Sequence, residues 1–157
     1  QGRILAAVLT VCLTITGIYD FVIIVRDNGP GHRVTVNTNS SLTDWLAQNL
    51  DSRDLILTPE YSISEVTMAG VMMYLGWPYY AWSAGYDTYD RAEKAKEIYT
   101  SQEPERVKSL VRQEGITYIL FEEGMTFEGE TCIETTIKSV YRLVYQSEDR
   151  RIRIYET

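Results

Sequence analysis

The sequence predicts an α/β fold: a layered, mixed sheet of short strands flanked by helices, closed by a C-terminal β-hairpin and preceded by an N-terminal hydrophobic helix. Three observations predict it. Short apolar runs at 55–57 and 116–121 alternate with segments of helical period, the signature of helices layered on a sheet. Residues 140–145 and 152–155 alternate around the turn-forming segment 146–150, which reads as a hairpin. Residues 4–25, ILAAVLTVCLTITGIYDFVIIV, carry a single charge, Asp20.

That first segment matches the roughly 20 residues needed to cross a bilayer. It lacks the basic start and small-residue cleavage site of a signal peptide. Residues 1–25 are therefore read as a transmembrane helix whose interfacial end falls between Gly17 and Asp20, with Tyr19 at headgroup level. The alternative is a helix, or a helix and a strand, packed in the core of a soluble domain. The chain begins at Gln1 without an initiator methionine, which suggests a piece of a larger membrane protein. Residues 26–33, RDNGPGHR, form a linker punctuated by Pro and Gly. The α/β domain spans 34–157. Val34 to Val36 start a strand, and Asn39-Ser40-Ser41 has the acceptor pattern for N-glycosylation.

Ser41 with Asp44 caps the first helix of that domain, and Leu42, Trp45, Leu46 and Leu50 follow at helical spacing. Residues 51–54 turn the chain into the buried strand 55–57, which Pro59 stops. Ser62 and Glu65 make a second capping box for a helix to about Met73, with Ile63, Val66, Gly70 and Met73 on one face. Tyr74 and Leu75 read as a short strand. Asp87 or Thr88 caps a third helix, Tyr89 to about Tyr99, with Ala92, Ala95 and Tyr99 inward. Pro104 opens a fourth, striped by Val107, Leu110 and Val111 and ended by Gly115. Residues 116–121, ITYILF, are apolar on both faces and hence central. An acidic loop, 122–130, and a short helix, 131–138, lead into the hairpin.

Composition narrows the function. A formal net charge of −7 argues against a nucleic-acid partner. No Gly-rich phosphate cradle occurs. His32 is the one histidine and sits in the linker, so neither a histidine triad nor a histidine metal site is expected. Cys12 and Cys132 imply no disulfide framework and no zinc spacing. Glu122, Glu123, Glu128 and Glu130 lack the tight alternation of a calcium loop and read as solvated. Asp87 and Asp90 beside Arg91 read as a helix cap with its ion pair. No catalytic residue, metal site or cofactor is assigned.

The densest chemistry lies in 70–91, GVMMYLGWPYYAWSAGYDTYDR. Its period fits neither one helix nor one strand. Gly76 and Gly85 permit sharp bends, and Pro78 interrupts regular structure. A bent loop so rich in amphipathic rings is either a core plug or a recognition surface for sugars, lipid headgroups or protein. Trp77, at the strand end, is expected to fold onto the sheet edge. Trp82, between Ala81 and Ser83, is expected to stand free for a ligand.

The order of segments resembles a known class. D-W-L-x-x-N-L (44–50) is followed by D-x-I-L-T-P (54–59), G-W-P-x-x-x-W (76–82), an Arg-led helix from Arg91 ending in Ile98-Tyr99, and G-I-T-Y-I-L (115–120). With the apolar helix ahead of them, these resemble the last transmembrane helix and C-terminal extracytoplasmic domain of polytopic bacterial GT-C glycosyltransferase-like membrane proteins. The resemblance implies a non-catalytic accessory domain that shapes the substrate site, since sugar transfer in that class depends on acidic residues in an extracytoplasmic loop outside this sequence. It implies the membrane, the parent's transmembrane domain and a lipid-linked sugar or glycan as partners. Trp77, Tyr79, Tyr80, Trp82 and Tyr86 would make the contacts, and Arg91 would meet a phosphate or fix the loop through Asp87. The competing expectation is a soluble α/β enzyme or small-ligand-binding protein.

Overall fold

The computed structural model describes residues 2–29, 37, 40–59 and 65–157. The chain divides into two units, Gln1–Val36 and Asn37–Thr157. Most of the linker with His32, the strand start at Val34 to Val36, the glycosylation acceptor Asn39, and Ser62 and Ile63 of the second capping box lie outside the described residues.

The first unit is one helix, α1 (Gly2–Asp27), and none of its residues is buried. At 1.5 Å per residue it is about 39 Å long. Its most apolar 18-residue window has a mean hydropathy of 2.2, so by length and composition it can cross a membrane. The helix continues through Gly17 and Asp20, where the interfacial end of the span is expected. One interior glycine costs about 1 kcal/mol and does not end a helix this apolar. Thr10 and Thr14 donate their hydroxyls to the carbonyls of Ala6 and Thr10, at 2.9 and 2.7 Å, and Thr16 donates to Leu13 at 2.9 Å. The threonine hydroxyls of the apolar run are thus satisfied within the helix.

The second unit is a mixed five-stranded sheet between helices, as the sequence predicts. α2 (Ser41–Asn49) leads to β1 (Leu55–Leu57), then α3 (Glu65–Met68) and β2 (Met72–Met73). A short α4 (Pro78–Ser83) precedes α5 (Tyr89–Thr100) and α6 (Pro104–Glu114). β3 (Tyr118–Glu122), a small hairpin of β4 (Thr126–Phe127) and β5 (Glu130–Thr131), α7 (Glu134–Val140), β6 (Arg142–Gln146) and β7 (Ile152–Glu156) complete it. The sheet order is β2-β1-β3-β7-β6. β1 runs parallel to β2 and β3; β7 is antiparallel to β3 and β6.

Strand alternation splits the core into two layers. Leu57, Ile119, Phe121 and Tyr155 pack against α5, α6 and α7 through Ile98, Tyr99, Val107, Val111 and Ile137. Their strand neighbours Ile56, Leu120 and Ile154 face the other way, onto Leu42 and Leu46 of α2 and Val66 of α3. β3 is therefore covered on both faces, which is why its sequence is continuously apolar. Tyr99 locks the centre: its hydroxyl lies 2.7 Å from the Leu120 carbonyl and 3.2 Å from that of Leu57, spanning β3 and β1.

Four expectations are corrected. Ser40, not Ser41, caps α2, its Oγ accepting from Leu42 and Thr43. The second helix does not reach Met73. It ends at Met68, Gly70 turns left-handed at φ 74°, and Met72 and Met73 pair with β1 as the strand expected two residues later. The acidic loop is a β-hairpin that tucks Met125 and Phe127 into the core, turning through left-handed Glu128 and Gly129. The aromatic stretch contains a regular helix, α4, because Pro78 at its first turn presets a helical φ instead of breaking one.

Candidate ligand-binding cleft

Tyr74, directly after β2, organises the site. It is almost fully buried, and its N–H donates to the Ile56 carbonyl at 2.9 Å. Its own carbonyl accepts from Arg91 Nη1 at 3.0 Å, and the guanidinium lies 5.2 Å from its ring centroid, a cation–π contact. Its hydroxyl donates to Glu114 Oε2 at 2.9 Å. Glu114 Oε1 in turn meets Lys94 Nζ at 2.8 Å, and Lys94 reaches Asp90 at 2.7 Å. The exit of β2, the start of α5 and the end of α6 are thereby tied into one cluster. Lys94 holds the Glu114 carboxyl below the usual glutamate value, while burial and Glu114 push the Tyr74 hydroxyl above the tyrosine range.

From this anchor the chain turns at Gly76, φ 57°, where an added Cβ would meet Met73 Cε at 3.1 Å. α4 follows and buries none of its residues. Residues three apart on it pair, Trp77 with Tyr80 at 6.1 Å and Tyr79 with Trp82 at 5.7 Å between centroids. Tyr79, Tyr80, Trp82, Tyr86 and Tyr89 are all more than 60% exposed, at 61, 68, 62, 70 and 73%, so they form a surface and not a plug. Trp77 is half-buried. Gly85, φ 89°, returns the chain, and the Tyr86 N–H closes back onto the Ala81 carbonyl at 3.1 Å.

A cleft of about 330 Å³ opens between α4 and the start of α5. Its apolar wall is Met73, Leu75 and Ala81; Tyr86, Asp87, Thr88 and Arg91 supply the rest above Tyr74. Of the six residues singled out in the sequence, the cleft brings together Tyr86 and Arg91. Trp77, Tyr79, Tyr80 and Trp82 lie on or beside α4 outside it. Arg91 fixes this segment through Tyr74, not through Asp87, whose Oδ1 accepts from the Tyr89 N–H at 3.0 Å. Sequence reasoning missed Tyr74 as the hub, because its partners lie 17 and 40 residues away.

No protein-family model matches the chain, and no curated protein matches it. Among solved structures it is similar to the crystal structure of the C-terminal globular domain of an oligosaccharyltransferase from Archaeoglobus fulgidus, with a TM-score of 0.52. The two chains share a fold. The match covers 99% of that domain and 80% of this chain at 13% identity, so the likeness is one of architecture. The neighbour is archaeal, and this likeness does not bear out the bacterial origin that the resemblance implies.

Proposed function

We propose that this chain is the membrane-anchored accessory part of a glycosyltransferase-like protein that uses lipid-linked sugar donors. α1 spans the membrane, and the α/β unit lies outside the cytoplasm and shapes the substrate site without supplying catalytic groups. The observation that carries this reading is the row of exposed rings beside a preformed cleft. Five amphipathic side chains kept largely in water bury little against the core, and they suit a half-dry, half-wet contact with a glycan or headgroup. The fold shared with an oligosaccharyltransferase C-terminal domain and the bilayer-length α1 support it. The test is sugar transfer by the full-length protein carrying Trp82→Ala. Transfer is expected to fall about tenfold or more, the loss of about 1.4 kcal/mol of contact, while the thermal midpoint falls by no more than about 5 °C. Wild-type transfer by this variant would refute the role given to the ring.

A further inference from the structure

Within that reading, we infer that the cleft between α4 and α5 binds the neutral ring of a saccharide and not a phosphate. The Tyr86 ring lines the cleft while remaining 70% exposed, beside Leu75 and Ala81, which gives an apolar platform for the C–H face of a sugar. Three polar side chains lining the cleft keep hydrogen-bonding capacity unused among the described residues. Asp87 engages Oδ1 on the Tyr89 N–H and leaves Oδ2. Thr88 makes no side-chain capping bond. Arg91 spends Nη1 on the Tyr74 carbonyl and retains further N–H donors of its fork. Asp87 and Thr88 lie just before α5 and Arg91 lies in its first turn, and all three line the cleft.

Charge decides the ligand class. The cleft holds one guanidinium, Arg91, and one carboxylate, Asp87; Asp90, just before Arg91 in the helix, lies outside the cleft and pairs with Lys94. The nearest further cation, Lys94, is engaged by Asp90 and Glu114. The favourable position for negative charge at the start of α5 is already filled by these aspartates. A phosphate would meet a like charge it has no second cation to offset. A vicinal diol fits instead, because each hydroxyl both donates, to Asp87, and accepts, from Arg91.

The test uses the full chain in a zwitterionic, non-glycosidic detergent, read by amide chemical shifts at Tyr86, Asp87, Thr88 and Arg91. Methyl α-glucoside, methyl α-mannoside and methyl α-galactoside are titrated in turn, and inorganic phosphate separately. At least one glycoside is expected to shift these amides saturably in the millimolar range, with no saturable response to phosphate. Tyr86→Ala and Asp87→Asn should each weaken the response about tenfold or more, while Tyr86→Phe retains it. Both sites are exposed, and an unchanged thermal midpoint shows that the variants fold. Silence toward all three glycosides, or saturable phosphate binding at these amides, overturns the assignment. A parent enzyme that transfers sugar normally without this domain would sink the accessory role and leave the titration standing, so the two failures are distinguishable.

Discussion

Trp77 and Trp82 lie five residues apart and meet different surroundings. Trp77 is half-buried at the mouth of α4, its ring tilted against that of Tyr80, whereas Trp82 is 62% exposed. A fully buried Trp77 would cost about 3–5 kcal/mol on truncation to alanine; half-burial reduces the expected loss to about 1–2 kcal/mol. Trp82→Ala should cost less than about 1 kcal/mol. Thermal melts of the two variants check this, and a larger loss for Trp82 would reverse the ranking. The sequence made this contrast legible because Gly76 and Pro78 pin Trp77 to the strand exit. It hid the role of Arg91, since Asp87 is the nearer candidate along the chain and the actual acceptor is a backbone carbonyl, which no side-chain pattern announces.

Among the elements, α5 and α6 carry the clearest electrostatic coupling. Glu97 receives Arg106 through two bonds of 2.6 and 2.9 Å at the surface, and Glu114 takes Lys94 and Tyr74 in a more enclosed setting. Because the Glu114 carboxyl is lowered in the folded state, its contribution is whole above the ordinary value of 4.5 and is lost as pH falls from there through the folded value. Glu114→Gln should therefore lower stability by about 1 kcal/mol at neutral pH and flatten the acid limb. Denaturant midpoints measured across the acid range should converge for the two proteins at the low end; parallel curves would contradict the cluster. α5 and α6 were legible because each shows a helical period, α6 with a Pro start and Gly stop, and β3 because it is an unbroken apolar, β-branched run. The second helix was over-extended because Gly70 falls on its apolar stripe, where periodicity cannot distinguish a helical glycine from the left-handed one that ends it. α4 was missed for the opposite reason: its rings cover no core, so no apolar stripe records it. The β4–β5 hairpin was masked by its glutamates, since Met125 and Phe127 alone carry its inward face.

For the molecule as a whole, the two units present different surfaces. The α/β unit has its own two-layered core, while α1 exposes apolar side chains along its full length. In the full-length protein, Asn28→Cys, one residue past α1, is expected to react with an impermeant thiol reagent added to intact cells. Cys132 is buried and Cys12 lies inside the apolar helix, and the signal is read as the excess over the same protein without Asn28→Cys. Protection of the engineered cysteine, with labelling restored on lysis, would place the α/β unit on the cytoplasmic side and overturn the orientation proposed. The mixed topology was readable from the hairpin and the central strand. The cleft was not, because it is assembled from β2, α4 and α5 by contacts distant in sequence.

The glycine joints on either side of α4 have an evolutionary consequence. Gly76 and Gly85 hold left-handed turns that other residues adopt only under strain, and none of the six residues of α4 between them is fully buried. Selection on foldability therefore acts on the joints and leaves the intervening rings free to drift. Such a cassette can be rewritten for a new ligand without renegotiating the scaffold, so homologues are expected to keep the two glycines, the Tyr74 anchor and Arg91 while diverging between Pro78 and Ser83.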